Sequence, residues 1–200
     1  MNDLEKELFD WTKEIAEFHF PRWEELPDFD LYMDQVLNLI DNYLYVFKED
    51  KQSKVITASM VNNYVKLDLI PAPVKKRYNK KHLAYLIAIS VLKQVLTISE
   101  VKEGILYQAS VSGIREAYDL FCTEQEDALS AIASHIELDK NHPLPLLPNN
   151  TEIEILVVRT SCIAVASKIT TQKVLALVKK NKTDKSQIEK NKKKKNSEGK

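Results

Sequence analysis

Ser59, Asn62, Asn63 and Lys66 fall at i, i+3, i+4 and i+7, which places four hydrogen-bonding side chains on one helical face without a carboxylate. Asparagine amides match the donor and acceptor edge of adenine, and serine, asparagine and lysine all bind phosphate. A few residues on, Lys75, Lys76 and Arg77 follow each other directly. Such a cationic run holds phosphate through charge and does not depend on base sequence. Together these residues predict nucleic-acid recognition, one set reading bases and the other gripping the backbone. Covalent chemistry is not indicated. No nucleophile and base sit at workable spacing, no metal-ligand pattern occurs, and His82 and His142 each stand alone, so neither an enzyme nor a cofactor is expected.

The charge pattern points to the same stretch. The chain is neutral overall, yet residues 51–93 carry nine Lys/Arg against one acid, Asp68, for a net +8. Residues 1–50 carry −10, residues 94–160 carry −7 and residues 161–200 carry +9. Positive charge gathered onto one compact element is the footprint of a phosphate-binding surface.

Few glycines and apolar residues at helical spacing predict an all-α protein. Gly104, Gly113 and Gly199 cannot form a dinucleotide-binding or P-loop pattern. Cys122 and Cys162 match no disulfide or CxxC spacing and are expected to be buried structural thiols in a reducing compartment. The start MNDLEKELFDW is too acidic for a secretory signal, and the longest apolar run, Ala84–Leu92, is too short to span a bilayer. A soluble cytoplasmic protein without membrane association is expected.

The elements that position the polar stripe follow from periodicity and caps. A first helix spans 2–19 with Asn2 as cap, and Pro21 and Pro27 bracket a turn that turns Trp23 inward. Asp30 caps a second helix carrying Met33, Val36, Leu37, Ile40, Tyr43, Leu44 and Phe47 on one face. Thr57 caps a short helix from Ala58 to about Leu67, with Val61, Tyr64, Val65 and Leu67 on the buried side. Asp68 stops it, since aspartate tolerates the left-handed conformation, and Pro71 and Pro73 prevent continuation. Asn79 caps a helix from Lys80 to about Leu96 that is apolar almost all round and therefore central. Thr97 and Glu100 form a capping box for a further short helix, and Ser112 caps a long helix reaching about Leu138. Prolines 143, 145 and 148 mark a connection, and Thr151 with Glu154 opens a last helix from Glu152 to about Lys179. Its apolar residues outnumber one surface stripe, and residues 181–200, rich in lysine, are expected to be disordered.

Residues 56–105 resemble the winged helix-turn-helix head of MerR-type transcription regulators. That family's K-L-G-L-I-P motif is matched by Lys66-Leu67-Asp68-Leu69-Ile70-Pro71, its wing ending R-Y by Arg77-Tyr78, and its later S-L-E-E-I by Ile98-Ser99-Glu100-Val101. Departures are Asp68 in place of glycine and Asn62-Asn63-Tyr64 where the family has R-Y-Y. The wider chain, from PRWEELPDFDLYMDQV onward, resembles a bacterial family known only as a domain of unknown function (number 1836). The MerR resemblance implies recognition-helix roles for Ser59, Asn62, Asn63, Tyr64 and Lys66. It implies wing and phosphate roles for Lys75, Lys76, Arg77 and Tyr78.

On this reading residues 1–48 are helices packing on the head, 49–109 the helix-turn-helix, 110–180 a helical dimerisation region and 181–200 a tail. The expected function is transcriptional regulation by a homodimer on double-stranded DNA, and no side chain names a small-molecule effector. The alternative is a helical adaptor that sets the basic stretch against an acidic protein.

Overall fold

The computed structural model describes residues 3–48, 52–137 and 152–198. It is all-helical: α1 (Asp3–Ala16), α2 (Met33–Tyr43), α3 (Ala58–Lys66), α4 (Lys80–Leu92), α5 (Ile98–Ser112), α6 (Ile114–Glu137) and α7 (Ile153–Glu198). Two short 3-10 turns, Trp23–Glu25 and Tyr45–Phe47, flank α2. Among the described residues only two isolated antiparallel bridges stand in for β-structure.

The centre is α4. Leu83, Leu86, Ile87, Ile89 and Val91 are completely buried, so its apolar residues face neighbours in every direction. A helix with no polar face must be enclosed, and α2, α6 and α7 close around it. Both ends of α4 are tied down. Asn79 accepts from the His82 amide at 3.3 Å, while the Asn79 amide donates to His82 Nδ1 at 3.1 Å. At the other end Lys93 Nζ donates to the Val55 carbonyl at 2.9 Å, and burial lowers the pKa of that ammonium. His82, expected alone, is buried inside this cap; burial lowers its pKa, against an opposing pull from the Pro71 and Ala72 carbonyls.

Among the described residues the remaining helices share one core, which runs from Trp11 to Ile169. α1 lies against α6 and α7. The Pro21–Pro27 turn is strapped to α6: Tyr118 donates to the Pro21 carbonyl at 2.7 Å, Asp119 accepts from the Trp23 amide at 2.7 Å, and Glu126 accepts from the Phe20 amide at 2.7 Å. Trp23 is half-buried, its ring 6.5 Å from that of Tyr118.

Several boundaries differ from expectation for local reasons. α2 is capped by Tyr32 with Gln35, because Asp30 precedes the residue, Leu31, that pairs with Tyr78. Gly113, at φ 89°, separates α5 from α6, so Ser112 ends one helix instead of capping the next. α4 stops at Leu92 and α5 is fifteen residues long. The lysine-rich segment expected to be disordered continues α7 as far as Glu198; lysine, glutamate and glutamine favour helix when one end is already anchored. Asn2, Leu138, His142, the three prolines of 143–148 and Thr151 lie outside the described residues. Among the described residues no helix is long and apolar enough to cross a membrane.

Both cysteines are completely buried, and burial raises both thiols, Cys122 to about 12. Structural thiols of this kind are inert at neutral pH. The α6–α7 seam also contains one ion pair. Arg159 meets Glu124 through two parallel contacts of 2.6 Å, and Glu124 is only 5% exposed. Removing one partner leaves a buried charge unpaired, whereas removing both does not. Arg159→Met is therefore expected to destabilise the fold by about 2–4 kcal/mol in urea denaturation, with most of that loss recovered in the Glu124→Met/Arg159→Met double variant. Equal destabilisation of single and double variants would refute the pairing.

Candidate nucleic-acid interface

α3 begins at Thr57, whose hydroxyl accepts from the Met60 amide at 3.4 Å. Val61 and Tyr64 are buried beneath it. The opposite side presents Ser59, Asn62, Asn63 and Lys66, all exposed, so the four residues form one solvent-facing stripe with no acid in the helix. Tyr64, assigned a recognition role by resemblance, is 3% exposed and cannot reach a ligand on that face; it is part of the floor that sets the helix orientation. Leu67 shows the reverse. It is the C-cap, not a buried residue, and is 46% exposed.

The helix ends in a Schellman arrangement. Asp68 takes φ 51°, its amide donates to the Val65 carbonyl at 3.1 Å, and the Leu69 amide donates to Tyr64 at 2.9 Å. Lys102, from α5, adds an ammonium on the Leu67 carbonyl at 2.8 Å. Its positive charge suits the negative end of the α3 dipole. This contact joins residues 35 apart and is invisible in local sequence.

Beyond Pro71 and Pro73 the chain makes a tight reversal at Val74–Arg77. The Arg77 amide donates to the Val74 carbonyl at 2.9 Å, while Lys75 and Lys76 take φ 49° and 62°. Two successive positive φ values define a type I′ turn, which ordinarily uses Asn-Gly. Lysine lacks both the glycine backbone and the short polar side chain that ease the left-handed region, and each such residue costs about 1–2 kcal/mol. Like charge adds to this, with two exposed lysines at the tip and an exposed arginine beside them. Conformational strain and charge repulsion coincide at one exposed point. An anion seated there would relieve the second and turn the first into preorganisation.

The base of the turn is fixed. Leu31 and Tyr78 exchange two backbone hydrogen bonds of 2.8 Å. Tyr78, assigned by resemblance to the wing contacts, is 3% exposed and belongs to this base instead. Arg77 lies 4.8 Å from the Tyr32 ring centroid and donates to its hydroxyl at 2.9 Å, so its guanidinium is held in place yet exposed. Lys80 is paired with Asp28, and Lys93 is turned inward on Val55. Among the described residues the cations of the block therefore divide into Lys80, Lys81 and Lys93, which are partly or fully turned inward, and an exposed set of Lys54, Lys66, Lys75, Lys76 and Arg77. α3 packs on α2 and is tied at its two ends by Lys93 on the Val55 carbonyl and Lys102 on the Leu67 carbonyl, while the turn is held by the segment before α2.

Lys54, Lys102 and Tyr32 were not among the residues picked from sequence. Lys54 alone had a signal there, its place in the basic block just before Thr57. Among the described residues no group of three His, Cys, Asp or Glu side chains is placed to hold a metal ion.

A family model described as a domain of unknown function (DUF1836) matches residues 21–121, which include α2 to α5, the stripe and the cationic turn. No curated protein and no solved structure matches the chain.

Replacing the strained pair by the residues a type I′ turn favours, Lys75→Asn/Lys76→Gly, is expected to raise unfolding stability by about 1–2 kcal/mol. Thermal and urea melts of the variant check this; an unchanged or lowered midpoint would show that the turn is not strained.

Proposed function

We propose, from the premise that the chain belongs to the DUF1836 family, that it is a DNA-binding protein acting in transcriptional regulation. α3 would enter the major groove, with Asn62 and Asn63 meeting base edges and Ser59 and Lys66 at base or phosphate. Lys75, Lys76 and Arg77 would hold the adjacent phosphates. The succession of capped helix, left-handed stop, proline turn, tight cationic reversal and second helix supports reading the stretch as a MerR-like winged head.

The observation that carries the proposal is the pairing of two exposed surfaces with different chemistry. One is a carboxylate-free stripe able to discriminate bases, and the other is a strained cationic tip suited to phosphate. A solubilising surface needs neither strain nor the exclusion of acids. An acidic protein partner would use the cations but gives no reason for paired asparagines at helical spacing.

A homodimer reading two half-sites belongs to the same proposal. The buried Cys162, Val165 and Ile169 of α7 are covered within the protomer by α1 and α6, so these three give no reason for a second copy. Support comes instead from exposed apolar side chains, Leu106 and Val111 of α5 with Ile153 and Val157 of α7, which a partner copy would cover.

Fluorescence anisotropy with duplex fragments flanking the chain's own gene tests the proposal. Wild type is expected to bind with affinity that falls steeply as salt rises, and Lys75→Ala/Lys76→Ala to reduce the slope of log K against log salt by about 2. Asn62→Ala/Asn63→Ala should leave that slope intact while narrowing the gap between specific and random duplex. Absence of binding at low salt, or an unchanged slope in the lysine variant, would overturn the assignment.

A further inference from the structure

A half-open apolar pocket of about 70 Å³ lies where α4, α5, α6 and α7 meet. Ala88, Val101, Ile105, Phe121 and Val158 supply much of its wall. Besides Tyr85, whose ring centroid lies 5.9 Å from the Lys81 ammonium, three polar side chains that border it are already committed. Glu100 accepts from the Thr97 amide at 2.7 Å, Tyr118 donates to Pro21 at 2.7 Å, and Ser161 donates to the Val157 carbonyl at 2.7 Å. Gln108 is different. It is 5% exposed, it lines the cavity, and its Oε1 has no hydrogen-bond partner among the described residues. Buried side-chain carbonyls are normally paired.

Gly104, on the same helix, also lines the space, and a Cβ built there would meet nothing within 4 Å. Glycine inside a helix weakens it relative to alanine, and α5 gains no positive φ from having one there. Its consequence is room: any side chain at 104 would intrude on the cavity.

We infer that the space between α4, α5, α6 and α7 is a binding site for a small apolar molecule bearing one hydroxyl, with Gln108 as its polar anchor. A hydroxyl both donates and accepts, so it satisfies the amide through either end of the carboxamide. Size restricts the ligand. A closed cavity of about 150 Å³ accommodates benzene; this pocket has about half that volume but is open on one side, so an alcohol of about four or five heavy atoms seats its hydroxyl and part of its chain inside. The site is independent of the DNA-binding proposal, and neither rests on the other. It has one structural connection to α3, because α5, which carries Gly104 and Gln108, also carries the Lys102 that holds the Leu67 carbonyl.

Isobutanol is the probe. Saturation-transfer NMR on the full chain is expected to give a saturable signal for wild type and for Lys75→Ala/Lys76→Ala. Gly104→Leu, which fills the space, should abolish it while retaining a cooperative melt. Gln108→Leu should weaken isobutanol about 3–10-fold, the worth of one hydrogen bond, and leave binding of xenon, which has no hydroxyl, unchanged by its ¹²⁹Xe shift. Should Gly104→Leu not fold, Gly104→Ala places one methyl group in the same space and should weaken isobutanol in the same direction. A signal that does not saturate, or one that a folded Gly104 variant leaves untouched, would overturn the site. Equal loss of isobutanol and xenon in Gln108→Leu would overturn the anchor.

Discussion

The rest of the structure depends on enclosing α4. A helix buried on every side has no solvent face to set its rotation, so its neighbours must supply all the packing and its two ends all the polar compensation. Asn79 with His82 resolves the first end, and Lys93 on the Val55 carbonyl fastens the other to the segment leading into α3. That last contact fixes where α3 begins. Once Val61 and Tyr64 are committed to the core, helical geometry alone turns Ser59, Asn62, Asn63 and Lys66 outward. The exposed stripe is thus a consequence of the burial of Val61 and Tyr64.

A second constraint concerns backbone. Asp68, Lys75 and Lys76 adopt positive φ within nine residues, in a chain with only three glycines. Asp68 is repaid by closing a Schellman end, where two orphan carbonyls of α3 find donors. Lys75 and Lys76 have no comparable return inside the protomer beyond a two-residue reversal. A stability-driven sequence would place asparagine and glycine there. Retaining lysines at such positions is understandable when the tip works as an anion contact, since a short reversal projects both ammonium groups from a fixed base at Leu31 and Tyr78.

Local features were legible in sequence. Thr57, Asn79 and Thr97 are caps because short polar side chains reach amides two or three residues on, and all three hold. The polar stripe was legible for the same reason, as a helical period computed within one segment. Distant features were not. Arg159 meets Glu124 across 35 residues, Lys102 reaches Leu67 across another 35, and Gln108 lines a cavity made by four helices. Resemblance placed Tyr64 and Tyr78 on the binding surface, although Tyr64 also fitted the apolar period of α3. Tertiary packing decided for the core in both cases. The lysine turn was read as charge only, because sequence patterns associate its geometry with asparagine and glycine.

Under the proposed function, one chain segment presents two surfaces to DNA on a core-locked scaffold. Backbone amide chemical-shift mapping on titration with a bound duplex measures this directly. Shifts are expected to concentrate at 57–66 and 74–77, with the buried middle of α4 and the seam of α6 with α7 unmoved. Shifts confined to the lysine-rich end of α7, with Asn62, Asn63, Lys75 and Lys76 silent, would contradict it.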